Sequence, residues 1–461
     1  MILFFFITIF STSQLLEDTF DIDLFTYQIE GDSVVKLIKS KCPSSDTTLN
    51  IPTQISYNNA QYKVTSIEEE AFKGCQHYTG DLTVPEQITF IGYKAFADCG
   101  FSGSLYFDAQ CDIDASLFSG SDKWTGSLSI GNKVPSIGAR AFQNLFLKGK
   151  KLAIGTNVAS IGTMAFYKCK FEESDTLTIP SSVKQLGGQF LSYVTGPKHL
   201  IIDATLSELR HNCMIGLDSF ETLKITNTEC LGEKCLYGLT HFKTITIQNA
   251  KKYMKYAFAN TSFQCDLVIP DLIEFIGIGC FSYSKWTGSL TINAKIDEID
   301  PSFFSHASFG GNSLKIKNVK SIGARAFENC FSSSISVTIE TVERFGSMAF
   351  YGCDVGNIVI PSSIMLIGRS AFYGAKGNKL SIESNLKETN STWFNGDNKF
   401  DSLSLGAAFT TIADSTFAHS KNFPSGLTLN GKLEKIEDRA FYNCSGFSGS
   451  FVIPETVNFI G

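Results

Sequence analysis

Phenylalanine returns at a near-constant interval along most of the chain, and that interval limits what the chain can fold into. Phe72, Phe96, Phe118, Phe142, Phe166 and Phe190 form one run, and Phe258, Phe281, Phe304, Phe327, Phe350, Phe372, Phe394, Phe417 and Phe441 form another. Met214 and Leu236 fill the interval between them, giving 17 positions spaced by 22 to 24 residues. At 461 residues the chain exceeds one ordinary hydrophobic core, so it must be several domains or an array whose core grows with length. A fixed period of this size selects the array, because each unit is too short to bury its own apolar face and must do so against its neighbours. The composition has the same origin: 40 Phe against 6 Met and 3 Trp is what one residue type at one structural place produces.

The rest of the unit keeps register with this Phe. Five residues earlier an apolar residue is followed by Gly, as in Ile91-Gly92, Ile137-Gly138, Ile161-Gly162, Ile276-Gly277, Ile322-Gly323 and Ile367-Gly368. Ala precedes the Phe in nine units, Ala141 and Ala326 among them. Ten to thirteen residues after the Phe comes an apolar-x-apolar triplet, such as Leu82-Thr83-Val84, Leu128-Ser129-Ile130, Leu267-Val268-Ile269, Leu314-Lys315-Ile316 and Leu427-Thr428-Leu429. Alternation with period two predicts a short strand whose outer residues are buried. Pro85, Pro180, Pro270, Pro361 and Pro454 then end the strand, since proline has no N–H to give to a ladder. The Gly after Ile answers a need for positive φ or for close backbone approach at a corner.

These offsets predict a repeat solenoid of the leucine-rich-repeat kind: a right-handed coil of about 17 units, each of about 23 residues, with one short strand and a short helical or 3₁₀ return. At about 4.8 Å per strand the array spans about 80 Å, with the Phe residues stacked as an internal spine. Written out, the unit is L-x-I-P-x-x-V-x-x-I-G-x-x-A-F-x-x-C-x-x-F-T-G-S, nearly whole in Ile358 to Phe372 and in Ala440 to Ile453. It resembles the BspA-like, or Treponema-type, leucine-rich repeats of surface antigens from oral bacteria and mucosal protozoa. Trp124-Thr125-Gly126-Ser127-Leu128, Trp286-Thr287-Gly288-Ser289-Leu290 and Phe447-Ser448-Gly449-Ser450-Phe451 resemble the protozoan branch most. The resemblance covers residues 66–461 and implies a secreted or surface protein that adheres to host cells, matrix proteins or other microbes. A structural or antigenic coat component without a specific ligand is the alternative.

Outside the repeats, residues 1–13 have the apolar run and small residues of a signal peptide, without a basic start. Residues 14–65 are expected to form an N-terminal cap over the first open edge. The register breaks off at Ile460-Gly461, so the C-terminal end is expected to be incomplete. No later segment approaches the roughly 18 uninterrupted apolar residues of a membrane helix. The net charge of -6 offers nucleic acid and anionic lipid no basic footprint.

No catalytic or metal constellation emerges, and neither an enzyme nor a cofactor is expected. The six His are scattered over different units and offsets. Of the 13 Cys, six (Cys75, Cys99, Cys169, Cys330, Cys353, Cys444) stand three residues after the spine residue, where other units have Ser284, Thr261, Ala307 or Ala375. A place filled by small residues predicts buried, inert thiols in preference to disulfides. Asn260, Asn390 and Asn443 begin glycosylation triplets, with Asn390 and Asn260 the candidates carried forward.

Binding is expected on the open face of the sheet, where the middle residue of each triplet points outward. Tyr106, Ser129, Thr178, Lys224, Thr246, Thr291, Lys315, Thr338, Ser381, Ser404 and Thr428 are the candidates, a mildly polar ladder for an extended protein partner. Ser and Thr also favour exposed strand sites without any binding role.

Overall fold

A computed structural model describes residues 19–121, 123–147, 152–171, 176–391, 393–394, 399–420, 427–429, 432–445 and 452–461. The expected signal peptide lies outside the described residues. From Ile67 onward the chain is a parallel β-solenoid of about 16 turns and about 23 residues per turn. Most triplets are strands with the expected burial: Leu82 and Val84 are inside and Thr83 outside, and the same holds for Leu314, Lys315 and Ile316. Successive triplets pair in parallel with a shift of one unit, so that Thr83, Tyr106, Ser129 and Ala153 stand side by side.

The expectation of one strand per unit needs correction. The residue pair ending in the Ile before Gly is a second two-residue strand, as in Ser136–Ile137, Ser160–Ile161 and Gln185–Leu186, and these also pair in parallel. The Gly permits this by close approach. A Cβ on Gly162 would sit 2.5 Å from the Ala139 nitrogen, and one on Gly92 would sit 2.2 Å from that of Glu69. Neither Gly has positive φ, so of the two roles open to it, closeness is the one used.

The helical return is corrected as well, for no helix occurs among the described residues. Two residues per return are left-handed, the second before and the second after the spine residue: Lys94 and Asp98 around Phe96, Arg325 and Asn329 around Phe327. Left-handed residues interrupt an α-helix. Hydrogen bonding alternates accordingly. Ala71, Lys73 and Cys75 donate to Glu68, Glu70 and Phe72 three residues back, while Glu70, Phe72 and Gly74 donate to Tyr93, Ala95 and Ala97 of the next rung. Every second N–H thus leaves its own turn to join the stack, which satisfies the return without the i−4 bonds of a helix.

This pattern also identifies the spine. Gln189 and Tyr193 are the left-handed pair, and Leu191 donates to the Cys213 carbonyl, so Leu191 is the spine residue of its unit and Phe190 occupies the Ala place before it. The interval from Phe166 is therefore 25 residues. Elsewhere the column is continuous. Phe72 stacks on Phe96 at 5.1 Å, Phe118 on Phe142 at 5.8 Å, and Phe142 on Phe166 at 5.4 Å. Phe258 then begins a run through Phe281, Phe304, Phe327, Phe350 and Phe372, with centroids 4.7 to 5.7 Å apart, that continues to Phe441. Burying one such ring contributes about 2–3 kcal/mol. A second buried column, unforeseen in the sequence, runs beside it: Tyr78 on Phe101 on Trp124, and Phe263 on Trp286.

The place three residues after the spine has a definite task. The thiols of Cys99, Cys169, Cys330 and Cys353 donate to the carbonyls of Phe72, Phe142, Phe304 and Phe327, each the spine residue one rung earlier. Ser121 and Ser420 do the same toward Phe96 and Phe394. Burial pushes the Cys99, Cys169 and Cys353 thiols up to about 12, which keeps them protonated as donors. Cys75 departs from the expectation of a free thiol. On the first rung there is no earlier spine carbonyl to receive it, and it is bonded instead to Cys42, with Cα atoms 5.0 Å apart. That disulfide ties the first rung to an antiparallel sheet of Thr19–Ile22, Phe25–Gly31 and Val34–Ser40, which pairs with Ala60–Ile67. Tyr27, Val35 and Leu37 of this sheet are fully buried in the same core as the rungs.

Candidate binding face

Among the described residues the outward positions of the triplets form three runs, each held in line by its own ladder register. Thr178, Ile201, Lys224 and Thr246 are consecutive neighbours, as are Val268, Thr291, Lys315 and Thr338, and as are Val359, Ser381, Ser404 and Thr428. Tyr106, Thr178, Lys224, Thr246, Lys315, Thr338 and Thr428 are exposed, while Ser129, Thr291 and Ser404 are half-buried. Ser381 is a correction, at 7% exposure. Its short side chain lies between Val359 and Ser404 in the longest paired stretch of the solenoid, Lys376–Ile382 against Lys399–Leu405, and is covered there.

Lys224 stands between Ile201 and Thr246, and Lys315 between Thr291 and Thr338. Neither has a carboxylate partner among the described residues, unlike Lys243 with Glu221 at 2.8 Å or Lys320 with Asp297 at 2.7 Å on other surfaces. None of the middle positions is acidic. An uncompensated cation exposed on a flat ladder is available to a partner's carboxylate, and rigid strands hold it there at little entropic cost.

A further outward row went unnoticed in the sequence. Where strands are four residues long, the residue two before the middle faces the same way, which adds Thr176, His199, Thr222, Thr244, Ser313, Ser336 and Asn357. Period two alone would have identified it. His199 Nδ1 and Thr222 Oγ1 are 2.9 Å apart, linking two rungs along this row.

The face is interrupted between Thr246 and Val268, whose strands do not pair. A pocket of about 270 Å³ opens there, lined by Thr246, Tyr253, Phe258, Asp266, Val268 and Trp286. Ile245 and Ile247 are only half-buried beside it, because the next rung does not close over them. The Trp286 indole N–H is buried without a partner among the described residues.

The remaining candidates are dispersed. Asn390 is exposed, with Thr392 of its triplet outside the described residues. Asn260 is exposed but left-handed, its amide donates to Tyr237 Oη at 2.6 Å, and Thr261 is buried with its hydroxyl on the Phe258 carbonyl. Among the described residues no group of three His, Cys, Asp or Glu is placed to hold a metal ion, and no helix is long and apolar enough to cross a membrane.

The chain matches the family described as the BspA type leucine rich repeat region, over residues 50–173, 171–287, 253–355 and 343–461. It belongs to that family. Solved structures similar to this BspA-type protein include a leucine-rich repeat protein from Bacteroides ovatus, at 20% identity and TM-score 0.44, covering 83% of this chain and 99% of that one. The pneumococcal vaccine antigen PcpA is similar at 12% identity and TM-score 0.30, covering 94% and 99%. A leucine rich cell surface protein from Faecalibacterium prausnitzii is similar at 16% identity and TM-score 0.26, covering 96% and 94%. No curated protein matches the chain.

Proposed function

We propose that this BspA-type protein is a secreted or cell-surface scaffold that adheres to host cells or matrix proteins through the outward triplet face. Membership of the family supports this, as do the Cys42–Cys75 disulfide, which suits an oxidising compartment, and the apolar start at residues 1–13. Residues 14–65 serve as the cap of the array, and Asn390 is its glycosylation acceptor. The Trp-Thr-Gly-Ser-Leu stretches favour a protozoan source.

The observation that carries the proposal is the pair of cations, Lys224 and Lys315, without a carboxylate partner among the described residues and set on two successive ladder runs whose middle positions hold no acid. Such a face suits an extended acidic protein segment and not a small molecule. The test immobilises the secreted chain and measures binding of host-cell surface extracts and purified matrix proteins. Saturable, salt-sensitive binding that is lost on changing Tyr106, Lys224 and Lys315 together to Ala is the expected result. Binding unchanged in that triple variant would remove the face from consideration, and no saturable binding would leave the coat component as the function.

A further inference from the structure

The ladder of two-residue strands does not run the full length of the molecule. The carbonyls of Ile113, Ile137 and Ile161 accept the N–H of the residue after the next rung's strand, from Gly138, Gly162 and Gly187 at 2.6, 2.7 and 2.8 Å. The following bond, from Arg210 to Leu186, is not made. Thr205 donates to Val183 on one side and Leu191 to Cys213 on the other, but among the described residues no backbone bond joins 184–188 to 206–212. Leu206 and Leu209 bridge only forward, to Thr228 and Leu231. The ladder has therefore parted between two rungs that remain joined at both ends of the gap.

Arg210 stands at the place that Gly138, Gly162 and Gly187 hold in the preceding rungs, where a Cβ would meet the earlier rung's backbone at 2.2 to 2.7 Å. Met254 and Glu437 carry side chains at the same place and keep their bonds to Leu231 and Ile412, so the ladder tolerates some side chains there and at Arg210 it opens. The ladder also parts at Asp114 and Asp300, whose N–H groups make no bond to Ile91 or Ile276 among the described residues, and at Asn390, where the gap is closed from within because the Trp393 indole N–H donates to the Ile367 carbonyl at 3.0 Å. Among the described residues no side chain donates to the Leu186 carbonyl in that way at Arg210. The opening lies in a groove of about 560 Å³ that extends over four rungs and is lined by Gly138, Gly162, Gly187, Lys184, Glu208 and Arg210 among others.

Three properties define what fits. The walls present strand edges, with the Leu186 carbonyl and the Arg210 N–H unused across the gap among the described residues, and a partner strand supplies their complements. The charges are Lys184 and Arg210, neither paired with a carboxylate among the described residues, whereas the Glu208 carboxylate leans toward Gly232 on the next rung. The lining holds no aromatic ring on which a sugar would stack.

We propose that this groove is a second binding site, separate from the triplet face, which takes an extended acidic segment of a partner polypeptide as an added strand. The segment accepts the Arg210 N–H, donates to the Leu186 carbonyl, and places a carboxylate on the Arg210 guanidinium and the Lys184 ammonium.

The probe is an acetylated, amidated peptide of alternating Thr and Asp, fluorescently labelled and titrated by anisotropy with the full chain. Saturable binding is expected, with no binding of the same peptide N-methylated at alternate residues or with Lys in place of Asp. R210A is expected to weaken it at least about fivefold, the scale of one lost charge-assisted contact. R210G is expected to close the ladder and abolish it while melting no lower than the parent. Should R210G fail to fold, R210E is expected to weaken binding more than R210A. Undiminished binding by the Arg210 variants, equal binding of the N-methylated peptide, or binding of an oligogalacturonate in place of the peptide would each overturn the proposal. So would the absence of saturable peptide binding.

Discussion

Replacing Phe327 by Ala removes one ring from the middle of the spine. That ring is fully buried, lies between Phe304 at 5.3 Å and Phe350 at 5.2 Å with planes within 12°, and has Phe331 at 6.2 Å. The transfer contribution of one ring is about 2–3 kcal/mol, and two broken stacking contacts add about 0.5–1.5 kcal/mol each. Because the rungs above and below are pinned by their own ladders, the cavity cannot collapse fully, and the expected cost is about 3–5 kcal/mol. In a repeat array such a loss is felt first by the damaged unit and its neighbours. Native-state hydrogen exchange across 321–331 should therefore accelerate by about two orders of magnitude or more, the equivalent of 3 kcal/mol, with a lower urea midpoint. Phe275→Ala is the matched control, since its ring is 44% exposed on the outer surface and should cost less than about 1 kcal/mol. Equal losses in the two variants, or unchanged exchange around residue 327, would refute the stacked column.

Three other outcomes follow from the same geometry. Gly162→Ala puts a Cβ 2.5 Å from the Ala139 nitrogen and should part the ladder at the Gly162–Ile137 bond, seen as faster exchange of the Gly162 amide and a loss of about 1–3 kcal/mol; a neutral substitution would contradict the close-approach role. Cys99→Ser should be tolerated because the hydroxyl still donates to the Phe72 carbonyl, as Ser121 does to Phe96, whereas Cys99→Val should cost about 0.5–1.5 kcal/mol by removing one of that carbonyl's two donors and leaving it the Cys75 N–H; calorimetry showing the reverse order would remove the capping role. Changing Cys42 and Cys75 together to Ala should lower stability by about 3–4 kcal/mol through the 33-residue loop it releases, measured by urea melting, and should speed exchange first in 19–67.

The fold was legible because one large residue recurs at one place, and the strands because apolar residues alternate. The returns were not. Segments such as Ala-Phe-x-x-Cys have the local look of a helix, and only the neighbouring rung, by accepting every second N–H, makes left-handed residues at Lys94 and Asp98 affordable. Phe190 misleads for a related reason: spacing alone cannot distinguish adjacent large apolar residues, whereas Leu186 of the Leu186-Gly187 pair, five residues before Leu191, holds the register that decides it. Cys75 was misread because its slot is the same as the others in sequence and differs only in having no rung beneath it. The outward ladder was recoverable from period two, but the groove at Arg210 depends on which side chains the ladder can absorb, and a comparison of Arg210 with Met254 in sequence gives no means of telling them apart.

Axial distance growth between rungs tests the solenoid most directly. Spin labels attached through a genetically encoded ketone side chain at Thr178 paired with Lys224, Val268 and Lys315 are two, four and six rungs apart by ladder register and unit count. Pulsed electron resonance should give mean separations rising with rung number at about 4.8 Å per rung, to about 29 Å for the last pair. Distances that fail to increase in that order, or that spread over one broad range common to all three pairs, would contradict the stacked-rung architecture.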